Sequence, residues 1–152
     1  MGKTQQDLIE VAVQLLKDGK YAEAILILRG LVAESEPEPS AWFNLGMALS
    51  DLGELEEAIS FLSQFVASRP DDVDGRIALG VAYARNAEES KAIEVLKDTC
   101  RRFPDNAFAH RNLGGALLRS GKLAEAAEYL RNSVDLDSTD AGSWLGLGQA
   151  LS

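Results

Sequence analysis

The sequence predicts an all-α fold made of stacked, antiparallel helix pairs, and three observations lead to it. A segment recurs: NLGMALSDLGELEEA at 44–58 returns as NLGGALLRSGKLAEA at 112–126, with nine of fifteen positions identical at an offset of 68. Half that offset, 34, then organises the whole chain. Ala12, Gly46, Gly80, Gly114 and Gly148 form one column, Ala24, Ala58, Ala92 and Ala126 a second, and Leu28, Leu62, Leu96 and Leu130 a third. Finally, each period is helical twice over. Trp42, Leu45 and Leu49 lie on one amphipathic face, and Leu55, Ala58, Ile59, Leu62, Phe65 and Val66 on another. A fixed period of this size marks an array in which each unit buries its apolar face only against its neighbours.

The expected organisation is one domain over 1–152, with repeats at about 5–38, 39–72, 73–106 and 107–140 and a partial repeat at 141–152. Within a repeat, Gly19, Gly53 and Gly121 suit a left-handed residue that ends the first helix. Pro70 and Pro104 stop the second helix, and Asp71–Asp72, Asp105–Asn106 and Asp140 can cap the next one. The small residues in the first two columns let helices approach to roughly 8–10 Å. The third repeat is the least regular. It has Ala87 in the turn-glycine column and Glu89 where the others have Tyr21, Leu55 and Leu123. Asn86, which tolerates the left-handed region, is expected to take that turn instead.

Composition narrows the function classes. With 46% hydrophobic and 26% charged residues the chain is that of a folded soluble protein. A net charge of −9 argues against nucleic-acid or anionic-membrane surfaces, and no apolar run approaches the roughly 18 residues of a membrane span. The single cysteine, Cys100, fits a reducing compartment, hence a cytoplasmic location. No catalytic or metal-binding set emerges. Cys100 shares the column of Val32, Val66 and Val134, and the lone histidine, His110, shares that of Trp42, so both read as packing residues. GALLRSGKL departs from a phosphate loop in spacing and in Leu123. The expectation is therefore a non-enzymatic protein with no cofactor and no metal.

These columns resemble the tetratricopeptide repeat from about Gln5 to the end. The family pattern W-x2-L-G-x2-Y…A-x3-F…P maps onto Trp42, Leu45, Gly46, Leu49, Ala58, Leu62 and Pro70, and again onto Arg76, Leu79, Gly80, Tyr83, Ala92, Leu96 and Pro104. The resemblance implies a right-handed superhelical α-solenoid of four full repeats plus one helix. It also implies that first helices line a concave groove where partner peptides bind.

At the family's groove places the chain has Ile9, Val13, Leu16 and Lys17, then Phe43, Asn44, Met47 and Asp51. Later repeats contribute Asp74, Ile77, Val81 and Arg85, then Phe108, Arg111, Asn112, Leu118 and Arg119, and Leu145 continues the row. Ile9, Val13, Phe43, Met47, Ile77, Val81 and Phe108 make an apolar strip, which marks an interaction site. Four basic against two acidic residues leave the groove set at +2 and the rest of the chain at −11. An extended or amphipathic peptide with apolar anchors and some acidic residues fits such a groove. The carboxylate clamp of chaperone-binding relatives would fall on Ile9, Val13, Asn44, Asp74 and Ala78, of which only Asn44 matches. A second reading stands beside peptide binding: a scaffold or self-association module, a piece of a longer repeat protein, that uses Trp144, Leu147 and Leu151 of the unpaired last helix.

Overall fold

The computed structural model describes residues 2–152. Among these residues the secondary structure is helical, with nine helices and no strand: α1 Gln5–Lys17, α2 Tyr21–Val32, α3 Pro39–Asp51, α4 Leu55–Ser68, α5 Val73–Arg85, α6 Glu89–Arg102, α7 Ala107–Arg119, α8 Leu123–Leu136 and α9 Ala141–Leu151. They form two compact units, Met1–Gly75 and Arg76–Ser152. The boundary falls inside α5, so the repeat expected over 73–106 is shared between them.

The helix ends follow from local chemistry. Thr4 opens α1 with a capping box: its side chain accepts from the Asp7 amide while Asp7 accepts from the Thr4 amide. Asp72 accepts from Gly75, Asn106 from Ala109 and Asp140 from Ser143, so one residue of each expected capping group does cap the next helix. α3 begins instead with Pro39 in its first turn, where a missing amide hydrogen costs nothing. Each turn inside a helix pair closes with the same bond. Lys20 donates to Leu15, Glu54 to Leu49, Glu88 to Tyr83 and Lys122 to Leu117, all within 2.8–2.9 Å.

That bond requires a left-handed residue just before its donor. Gly19, Gly53 and Gly121 supply it at φ 76°, 84° and 75°. At the third turn it is Ala87, at φ 60°, and not Asn86. The bond geometry fixes which position must be left-handed, and the Asn86 side chain is engaged elsewhere, donating to Glu88 at 2.9 Å.

In the first unit, Ile9, Ala12, Ala24, Leu28, Ala41, Leu45, Leu49 and Ala58 pack as one core. The second unit has its own, with Leu96, Leu113, Leu117, Ala126, Leu130 and Leu147. Each fully buried leucine contributes about 1.5–3 kcal/mol. The glycine column has a measurable reason to be glycine. A Cβ on Gly46 would lie 2.7 Å from Leu62 Cγ, on Gly80 2.6 Å from Leu96 Cγ, and on Gly114 2.5 Å from Leu130 Cγ. The Trp column is more varied. In the second unit it holds buried Arg76, which donates to Asp98 at 3.0 Å, and buried His110, which donates through Nε2 to the Pro104 carbonyl at 2.8 Å.

Candidate partner-binding groove

In the second unit, α5, α7 and α9 surround a cavity of about 510 Å³. Val81, Ala84, Leu96, Leu118, Leu130 and Leu145 supply its apolar lining. Arg85, Arg111 and Arg119 are its charged residues, and no carboxylate lines it. Asn112 and Gln149 add amides. Residues on α5 and α7 reach it because they occupy the helix faces turned away from the second helices, where the repeat columns make no demand.

Carboxylates behind the cavity position two of the guanidinium groups. Arg111 Nη1 donates to Asp140 Oδ1 at 3.2 Å, and Arg119 Nε to Glu89 Oε1 at 3.3 Å. The Ser143 hydroxyl donates to Asp140; that bond, with a smaller effect from Arg111, holds the Asp140 carboxyl below the usual aspartate range. Arg111 also needs room. A Cβ on Gly142 would lie 3.2 Å from both Cζ and Nε of Arg111, so the absent side chain leaves the guanidinium a seat against the first turn of α9. A guanidinium carries five N–H donors, so each of these pairs leaves donors for an incoming acceptor. Three cations over two supporting carboxylates leave this region at +1 within a chain of −9. Glu89, where an apolar anchor was missing from the sequence pattern, serves here as the holder of Arg119.

The other predicted residues of this unit divide. Ile77 is half-buried and packs against the core cluster. Phe108 is exposed but does not line the cavity. Asn112 lines it, with its amide nitrogen already donating to the Phe108 carbonyl at 2.8 Å. In the first unit, Phe43 lies against Phe65 with ring centroids 5.1 Å apart and is half-buried. Val13 and Asn44 are half-buried, and Asn44 donates to its own helix at the Ser40 carbonyl. Met47 and Lys17 are exposed.

Two expectations are corrected. Ile9 is 3% exposed and belongs to the core, so it offers no groove surface. Its place in the repeat faces the next repeat's first helix, as Arg111 faces Gly142. Leu147 is likewise buried in the second unit's core and is not part of a free face of α9. Sequence reasoning also left out Gly115, Gly142 and Gln149, which line the cavity. Gly115 and Gln149 follow Val81 at the 34-residue step, and that was the available signal.

Two family models described as Tetratricopeptide repeat match the chain, one over residues 15–78 and the other over 77–141 and 111–151. The chain belongs to the tetratricopeptide-repeat family. The repeats support the same fold in solved structures. MamA 41-end from Desulfovibrio magneticus RS-1 is similar with a TM-score of 0.86 and 23% identity, covering 99% of this chain and 85% of that one. TTC0263, a thermophilic protein of the same repeat class in Thermus thermophilus, gives 0.78 and 23%, covering 97% and 81%. The APC/C hetero-tetramer Cut9–Hcn1 gives 0.87 and 17%, covering 99% of this chain and 30% of the longer one. No curated protein matches by sequence. As a tetratricopeptide-repeat protein the chain is a protein–protein interaction module, of a family whose members generally act as non-enzymatic scaffolds and bind proteins or peptides. Among the described residues, no group of three or more histidine, cysteine or acidic side chains could hold a metal ion, and no helix is long and apolar enough to cross a membrane.

Proposed function

We propose that the chain captures an extended or amphipathic segment of a partner protein in the α5–α7–α9 groove, and that the segment carries acidic residues beside apolar anchors. One observation carries this reading: three arginines surround an apolar-lined cavity that no carboxylate lines. A volume of about 510 Å³ suits a few side chains of a bound segment. Apolar anchors would fill the space between Val81, Leu118 and Leu145, and carboxylates would take donors on Arg85, Arg111 and Arg119. Charge fixes orientation and speeds encounter; apolar contact supplies most of the affinity.

Panning a random peptide display library on the intact protein tests it. The expected winners carry Asp or Glu next to Leu, Ile or Phe. Their binding should weaken as salt rises, since exposed charges are screened beyond about 8 Å at physiological ionic strength. Charge reversal at Arg85, Arg111 and Arg119 together should abolish recovery of the acidic class. Winners that bind the triple variant as well as the native protein would defeat the proposal.

A further inference from the structure

The last helix leaves uncovered a face that every preceding repeat covers. Leu117 of α7 is 0% exposed under its own second helix, whereas Leu151, in the same column, is 58% exposed. Trp144 is 52% exposed in a column where Arg76 and His110 are buried. Gly148 is the clearest case. Its column-mates Gly46, Gly80 and Gly114 meet a leucine at 2.5–2.7 Å from a built Cβ, but a Cβ on Gly148 meets nothing within 4 Å. What fits this face is therefore shown internally: a helix that brings Ala and Leu four residues apart, as Ala58 and Leu62 do over Gly46.

One helix of the chain displays that pattern to solvent. α2 uses Ala24 and Leu28 in the core of its own unit, and it repeats the motif two residues earlier as Ala22 and Leu26. Two residues turn an α-helix by about 200°, so the second motif lies on the opposite, outward face. Leu26 is 74% exposed, and Gly30, one turn on, has open space where a side chain would be. The other second helices are polar at these positions. Ser60, Glu94 and Glu128 stand where Leu26 stands, and Gln64, Asp98 and Asn132 stand where Gly30 stands. An outward leucine is thus no requirement of the repeat.

We propose that the uncovered face of α9 in one copy receives the outward face of α2 in a second copy, joining copies head to tail. Charge supports this pairing of surfaces. The chain carries −9, which keeps copies apart, but α9 has no charged residue from Ala141 to Leu151. On α2 the adjacent Arg29 is already paired with Glu57 at 2.8 Å. The two surfaces are different, so the contact is heterologous and leaves a free α2 and a free α9 at the ends of any assembly. A single helix-on-helix contact is smaller than the roughly 800 Å² per partner of a standard interface, so association is weak and reversible.

Sedimentation velocity of the full chain over a concentration series, at low and high salt, reads this out. The native protein should grow beyond a dimer as concentration rises, and more readily at high salt, where the like charges are screened. Leu26→Glu and Gly148→Glu alter solvent-facing positions, so unchanged circular dichroism is expected of both. Each variant alone should remain monomeric. Mixed in equal amounts they should give a one-to-one complex that grows no further, because one retains only the α9 face and the other only the α2 face. A native protein that stays monomeric throughout, a Leu26→Glu variant that associates as the native does, or a mixture that forms no complex would each overturn the proposal.

Discussion

The fourth repeat and the helix after it share the same columns, yet the same residue type does opposite work in them. Gly114 of α7 lies under Leu130 and has no room for a side chain; Gly148 of α9 faces open space. Asn106 caps α7 and Asp140 caps α9 in the same geometry, each accepting from the amide three residues on. One cap cannot ionise and the other does. A column therefore records what the neighbour requires, and a helix without that neighbour retains the residue without the constraint.

One substitution made at both glycines should separate these cases most sharply. Gly114→Ala places a Cβ 2.5 Å from Leu130 Cγ and should destabilise the protein by about 1–3 kcal/mol through overpacking. Gly148→Ala meets nothing and removes a flexible helical residue, so it should stabilise by roughly 0.5–1 kcal/mol. Urea unfolding measures both. Effects of the same sign would break the comparison.

The caps come next in size. Asn106→Ala should cost about 1 kcal/mol, independent of pH in the acid range. For Asp140 the folded carboxyl lies below its ordinary value near 3.8, so its contribution is present above that value and is lost as pH falls through the folded one. The penalty of Asp140→Ala should accordingly shrink on acidification while that of Asn106→Ala holds. Thermal unfolding of both variants across pH would show it, and parallel profiles would contradict the assignment.

The smallest effect extends the contrast to the turns. Ala87 occupies a left-handed position that costs an alanine roughly 1–2 kcal/mol, whereas Gly53 holds the equivalent position without strain. Glycine gains entropy in the unfolded chain, so Ala87→Gly should raise stability by only about 0.5–1 kcal/mol. Before that change, amides 87–92 should exchange faster with solvent than amides 53–58. Equal or greater protection at 87–92 would remove the strain argument.

Much of the fold was legible in the sequence because repeat packing is local: Gly46 answers to Leu62 and Gly114 to Leu130, always at the same spacing. The turn at Ala87 misled because side-chain preference pointed to Asn86, while a backbone bond from Glu88 to Tyr83 set the position. The groove was legible where a residue answers to no neighbour in its own repeat, as at Arg85, Arg111 and Arg119. It was not legible at Ile9 and Leu147, whose places in the pattern also touch adjoining helices. Gly142 was invisible for a related reason: its role is to make room for Arg111, a contact between repeats that no single repeat displays.

Cys100 carries a consequence of another kind. It is the only thiol in the chain, it lies in the core of the second unit, and burial pushes it up to about 12. Attack on a disulfide reagent needs the thiolate and access to it, and the folded core withholds both. The residue is thus a built-in clock. The rate at which a coloured thiol reagent reacts with the native protein counts how often the core around α6 and α8 comes apart, with no label added and no residue changed.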